Sequence, residues 1–222
     1  GGERGLYKTT NGGTSWKRVL GNDQWTGVTD IMIDPRNPQI LYAATWDRHR
    51  TVAALMGGGP GTALYRSDDG GENWTKLTEG LPESNMGKIG ITISPQNPDV
   101  VYAAIELDRK SGAVYRSSNR GASWTKMSDT VSGGTGPHYY QELYASPHEF
   151  DRLYLMNVRV LTSGDGGKTF VQLKERDKHS DNHAIVFKKD DPNYIMLGTD
   201  AGIYETFDNA ETWRYIKNLP LT

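Results

Sequence analysis

One short segment recurs five times in this chain. It reads TTNGGTSW from Thr9, SDDGGENW from Ser67, SSNRGASW from Ser117, SGDGGKTF from Ser163 and TFDNAETW from Thr206. The shared pattern is Ser/Thr-x-Asp/Asn-x-Gly/Ala-x-x-aromatic. Successive copies begin 58, 50, 46 and 43 residues apart. A drifting period of this size marks repeated supersecondary units, as in bladed or solenoid folds.

Each copy has the same flanks. An apolar stretch precedes it (GLYKT, ALYRS, AVYRS, RVLTS, GIYET) and another follows it (WKRVL, WTKLT, WTKMS, FVQLK, WRYIK). Upstream of the later copies lies a second pair around a polar turn, such as DIMIDPRNPQILYAAT and IGITISPQNPDVVYAAIE. Short runs rich in Ile, Val and Tyr between such turns read as strands. Four antiparallel strands per unit make the blade of a β-propeller. The expectation is an all-β fold with full blades over 28–80, 86–128, 139–174 and 181–217. Residues 1–20 supply half a blade. An unclosed propeller exposes strand edges, so the remaining blades are expected from the same full-length protein or from a partner chain. The opening GGERGLYKTT, with neither Met nor signal peptide, fits a piece of something longer.

Chemistry explains the recurring segment without a bound ion. Asn11, Asp69, Asn119, Asp165 and Asp208 are placed to accept N–H bonds within their own turns. Gly13, Gly71, Gly121 and Gly167 permit positive φ; Ala210 breaks that rule and puts its turn in doubt. Trp16, Trp74, Trp124, Phe170 and Trp213 are expected to anchor each turn on the layer between blades. A calcium loop needs roughly six oxygen ligands, and these segments carry one or two acids. No metal and no cofactor is expected.

Composition narrows the partners. Lys plus Arg is 25 against 27 for Asp plus Glu, a formal charge of −2. That gives no electrostatic footprint for nucleic acid. No apolar run reaches the roughly 20 residues of a spanning helix, so membrane insertion is not expected.

With the flanks IDPRNPQILYAAT and ISPQNPDVVYAAI, the recurring segment resembles the Asp-box, or bacterial neuraminidase repeat, in the sortilin-like and xyloglucan-hydrolase-like branch of these propellers. The resemblance covers essentially the whole chain. It implies a secreted, periplasmic or cell-surface protein whose ligands bind over the channel at the end opposite the boxes. The family spans sialidases, glucanases and peptide-binding receptors, so it fixes fold better than chemistry.

The irregular loops at that end hold the candidate residues. They offer Trp25, Trp46, Arg48, Arg50, His138, Tyr139, Tyr140, Arg159, His179 and His183 for ligand contact. Trp25 and Trp46 also read as caps on the inter-blade core. GGGPG, after the Trp46 loop, reads as a turn returning the chain to ALYRS rather than a phosphate cradle. In HSDNH an extended strand would put His179, Asp181 and His183 on one side. Asp30, Glu142 and Asp181 sit near the channel end of inner strands, where a glycosidase needs two carboxyl groups about 5–10 Å apart. Arg48, Arg50 and Arg159 match the number of a sialidase arginine triad but not its spacing. Three readings stay open. One is an extracellular binding scaffold for a peptide, a glycan or a partner protein. Another is a paired-carboxylate glycoside hydrolase acting on a polysaccharide. The third is a purely structural repeat domain of a large surface assembly.

Overall fold

The computed structural model describes residues 2–21, 23–108, 111–132 and 139–219. Every regular element among them is a strand. β1 (Leu6–Lys8) and β2 (Lys17–Leu20) form a two-stranded sheet. β3 (Thr26–Ile33) and β4 (Leu41–Asp47) are followed by a small hairpin of β5 (His49–Arg50) and β6 (Leu55–Met56). β7 (Leu64–Ser67) and β8 (Thr75–Leu77) then complete the sheet β3-β4-β7-β8. The next sheet runs β9 (Ile89–Ile93), β10 (Val101–Asp108), β11 (Ser111–Ser117), β12 (Thr125–Ser128). β13 (Leu143–Ala145), β14 (Leu153–Leu155), β15 (Leu161–Ser163) and β16 (Val171–Gln172) follow. β17 (Asn182–Lys188), β18 (Asp191–Thr199), β19 (Gly202–Thr206) and β20 (Arg214–Tyr215) form the last sheet. All pairings are antiparallel between consecutive strands of a sheet.

Three apolar layers lie between the sheets. Tyr42, Ala44 and Leu64 pack on Ile89, Ile91 and Ile105. Tyr102, Ala104 and Val114 pack on Leu143, Leu153 and Leu155. Tyr154, Met156 and Val160 pack on Ile185, Ile195 and Leu197. Successive first strands β3, β9 and β13 are neighbours across the sheets. These are the inner strands of a β-propeller: four complete blades and two strands of another.

The five recurring turns share one geometry. The hydroxyl at the first position accepts the N–H of the fifth: Gly13 on Thr9, Gly71 on Ser67, Gly121 on Ser117, Gly167 on Ser163 and Ala210 on Thr206, at 2.8–3.0 Å. The side-chain oxygen at the third position accepts the N–H of the seventh, at 2.9–3.0 Å in Asn11, Asp69, Asn119, Asp165 and Asp208. In the four full blades the fourth residue also donates its N–H to the proline-bearing turn of the same blade, as Gly70 does to Gln39 O and Asn209 to Asn193 O, both 2.9 Å. Ala210 takes φ 70° and its turn closes like the rest, which corrects the doubt raised by its missing glycine.

The aromatic anchors differ. Trp124 is 5% exposed in the first layer. Phe170 and Trp213 pack on the second and third layers. Each thus leans on the preceding blade. Trp16 is 59% exposed, against expectation. Its sheet has no preceding sheet among the described residues, so the indole has nothing to cover it.

Candidate channel-end site

A four-stranded meander puts its first and third connections at one end and the others at the opposite end. The recurring turns therefore close one end of the propeller, and the irregular loops gather at the other.

Asp30 lies on the innermost strand β3 beside a bulge. Val28 pairs with Thr45 and Asp30 with Ala44, so Thr29 is the extra residue; such bulges re-aim neighbouring side chains. The half-buried Asp30 carboxylate accepts the Ile91 N–H of the next blade at 2.9 Å. Burial pushes its carboxyl up to about 6, and nearby Glu142 adds to the rise. The N–H bonds of Ile91 and Ile31, and then Lys88, act in the opposite direction.

Glu142 enters from the start of the third blade. Gly90 makes this approach possible, because a Cβ there would stand 1.8 Å from Gln141 O. Gln141 itself takes φ 93°, a strained value for a residue with a side chain. Glu142 Oε1 accepts Lys88 Nζ at 2.5 Å. Glu142 Oε2 is buried without a hydrogen-bond partner. Asp30, Lys88 and Glu142, with Tyr144, line one cavity of about 250 Å³ on the inner strands of three successive blades. Lys88 carried no motif in the sequence; it follows a glycine in a connecting loop and shows its role only through its partner.

Asp181 does not join this pair. It takes φ 61° just before β17, and its carboxylate accepts Tyr140 OH and Ser180 Oγ, each at 2.7 Å. Those two bonds hold its carboxyl below the usual range. His183 occupies a bulge of β17, with Asn182 paired to Thr199 and Ala184 to Gly198. It stacks on Tyr140 with centroids 5.6 Å apart, and its Nε2 lies 2.7 Å from Asp200 Oδ1. His179 Nδ1 lies 2.7 Å from the Ser180 carbonyl. The expected alternation of His179, Asp181 and His183 is thus broken by the left-handed residue and the bulge. Beneath them, Lys178 and Glu175 form a pair at 2.6 Å with side chains 0% and 1% exposed. Asn182 links both, accepting from Lys178 and donating to Glu175.

On the first blade, Trp25 meets His49 edge-on at 4.0 Å. Trp46 is buried; its indole N–H donates to Gly57 O at 2.8 Å and Arg48 lies over its ring. Arg4 donates to the carbonyls of Trp25 and Arg48 and ties these loops to the half blade. The glycine run earns its composition by close approach: Gly59 bonds Met86 O at 3.1 Å, and a Cβ at Gly61 would stand 2.3 Å from Asp47 Oδ1. Arg50 and Arg159 are exposed, Tyr139 is 51% exposed and Tyr140 is buried. His138 lies outside the described residues. Among the described residues no three His, Asp or Glu side chains gather closely enough to hold a metal ion. No helix of the described residues is long and apolar enough to cross a membrane.

Blades joined by apolar layers, with carboxylates on or just ahead of the inner strands, define an Asp/Glu-lined β-propeller wall. The chain belongs to the Sortilin-Vps10 family (sortilin, neurotensin receptor 3), whose model matches residues 4–133. It is 23% identical over 210 residues to the oligoxyloglucan-reducing end-specific xyloglucanase of Emericella nidulans, across 87% of this chain and 24% of that protein. Two solved structures share its fold. The GH74 xyloglucanase of Xanthomonas campestris has a TM-score of 0.63 and 21% identity, over 87% of this chain and 31% of its own. An ancestral GH74 enzyme has a TM-score of 0.64 and 18% identity, over 98% and 29%. The chain spans about a quarter of the curated relative's length.

Proposed function

We propose that this chain is the carbohydrate-binding wall of a larger extracellular propeller, holding a glycan over its channel end. One observation carries the reading: Glu142, Lys88 and Asp30 line one cavity of about 250 Å³ at the channel end. Sugar hydroxyls both donate to carboxylate oxygens and accept from an ammonium, so this group of side chains suits a polyhydroxylated ligand. The relatives named as xyloglucanases favour a glycan over a peptide or a partner protein at this end. Tyr139, Trp25 and Arg50 extend the contact surface around the rim. Exposed Ile31, Ile33 and Val186 mark the faces on which further blades of the full-length protein would pack.

The unequal carboxylates favour hydrolysis as a second reading. Asp30, whose proton is held up to about 6, would protonate the glycosidic oxygen. Glu142, held at 2.5 Å by Lys88 Nζ, would take a proton from the water that attacks the anomeric carbon. The leaving sugar departs as an alcohol, and no oxidant or metal is consumed.

Titration of the chain with xyloglucan oligosaccharides, followed by calorimetry and by release of reducing ends, tests both. Saturable binding that is lost in Glu142→Ala supports the binding wall; no binding by the wild-type chain overturns it. Release of reducing ends that stops in Asp30→Asn supports hydrolysis; binding without release removes that second reading.

A further inference from the structure

We infer that Tyr140 and Asp181 form a clasp between the third and fourth blades that positions Glu142 in its cavity. Asp181 is then a positioning residue of the channel site, although it does not line that cavity. The inference rests on the glycan reading for its purpose, while its physical basis is independent of any ligand.

Three consecutive residues are each anchored on a different neighbour. Tyr140 is buried. It donates its hydroxyl to Asp181 Oδ1 at 2.7 Å, and its ring lies 15° from parallel to His183. Gln141 is buried as well. Its side-chain oxygen accepts the Ser132 N–H at 3.1 Å and the Ser132 hydroxyl at 2.5 Å, beyond the last strand of the second blade. The Glu142 carbonyl accepts the Met156 N–H at 2.9 Å, and its carboxylate reaches Lys88. Asp181 is itself fixed: its N–H donates to Val158 O at 2.9 Å, and its carbonyl accepts the Asp200 N–H at 3.2 Å. Between these anchors Gln141 holds φ 93°. A residue with a side chain keeps such a value only where its surroundings over-determine it. Relaxing Gln141 would swing the peptide that carries Glu142 and draw its carboxylate out of the cavity. The bond from Tyr140 to Asp181 restrains that peptide from its N-terminal side.

Amide relaxation-dispersion NMR of the ligand-free chain reads this directly, because it detects exchange between conformations on the microsecond-to-millisecond scale. Tyr140→Phe keeps the ring and every charge but removes the hydroxyl; Asp181→Ala removes its acceptor. Both should bring exchange to Gln141 and Glu142 that the wild-type chain lacks. Asp181→Asn keeps an acceptor oxygen and should stay close to wild type. A folded Tyr140→Phe with Gln141 and Glu142 as quiet as in wild type overturns the inference. Exchange in Asp181→Asn equal to that in Asp181→Ala also overturns it, since charge rather than the bond would then hold the segment. If Tyr140→Phe does not fold, Asp181→Ala serves and is read in the same way. Because no glycan is present, failure here is distinct from failure of the wild-type chain to bind xyloglucan oligosaccharides. Where the wild-type chain does bind them, Tyr140→Phe should weaken binding by about tenfold, the loss of one hydrogen bond to a carboxylate; unaltered affinity overturns the link to the site.

Discussion

The N–H of Ala210 donates to the Thr206 hydroxyl at 3.0 Å while Ala210 holds φ 70°. The turn therefore accepts a methyl group at the position where four other copies carry glycine. What glycine supplies in those copies depends on the neighbours. A Cβ at Gly71 would meet only Trp74, at 3.4 Å, whereas at Gly167 it would meet Val114 Cγ1 at 2.8 Å. Gly71→Ala should cost about 1–2 kcal/mol of left-handed strain, and Gly167→Ala clearly more through overpacking. Chemical denaturation of the two variants checks the order; equal losses would refute it.

The indoles at equivalent positions should behave differently. Trp124 is packed between two blades and Trp16 stands in solvent. Trp124→Ala should destabilise by about 3–5 kcal/mol, and Trp16→Ala by less than about 0.5 kcal/mol. Comparable losses in thermal or urea unfolding would show that Trp16 is covered.

Lys178 and Glu175 are a fully buried ion pair satisfied by Asn182 and by the Val160 N–H. Lys178→Met should leave Glu175 charged and unpaired inside the blade, at a cost of about 3–5 kcal/mol. Lys178→Met combined with Glu175→Gln should recover part of that loss. A double-mutant cycle with no coupling would contradict the pairing.

The acids pull stability in opposite directions with pH. Hydrogen bonds, first from the Thr169 and Thr212 hydroxyls, lower the Asp165 and Asp208 carboxyls to about 2. Their contribution is complete above the unfolded value near 3.8 and is lost as pH falls towards 2. The Asp30 carboxyl is raised to about 6, so the stability it contributes is present below about 3.8 and is lost as pH rises through 6. Asp30→Asn keeps an acceptor for Ile91 and should stabilise the fold by about 1–2 kcal/mol at neutral pH. It should also remove the slope between pH 4 and 6. Unfolding free energies measured across that range, with no difference from wild type, would contradict this.

Much of the fold was legible because its determinants are local. A hydroxyl four residues before a glycine, an Asx oxygen four residues before its N–H partner, and an aromatic one residue further on fix each turn within eight residues. Short apolar strands joined by tight turns then dictate antiparallel sheets, and five copies dictate repetition. Asp30 and Glu142 were singled out from the sequence by their position near the channel ends of inner strands, and the structure brings them to one cavity.

Other features depended on backbone geometry that periodicity does not encode. Asp181 leaves the extended region and His183 sits on a bulge, so counting by twos failed in HSDNH. Lys88 and Glu142 are 54 residues apart, and no local pattern joins them. Sequence alone settled which turns recur and which strands pair, because turn hydrogen bonds and short strand connections act over a few residues. Only the tertiary structure decided which charges meet in the channel, because that follows from how whole blades are set beside one another.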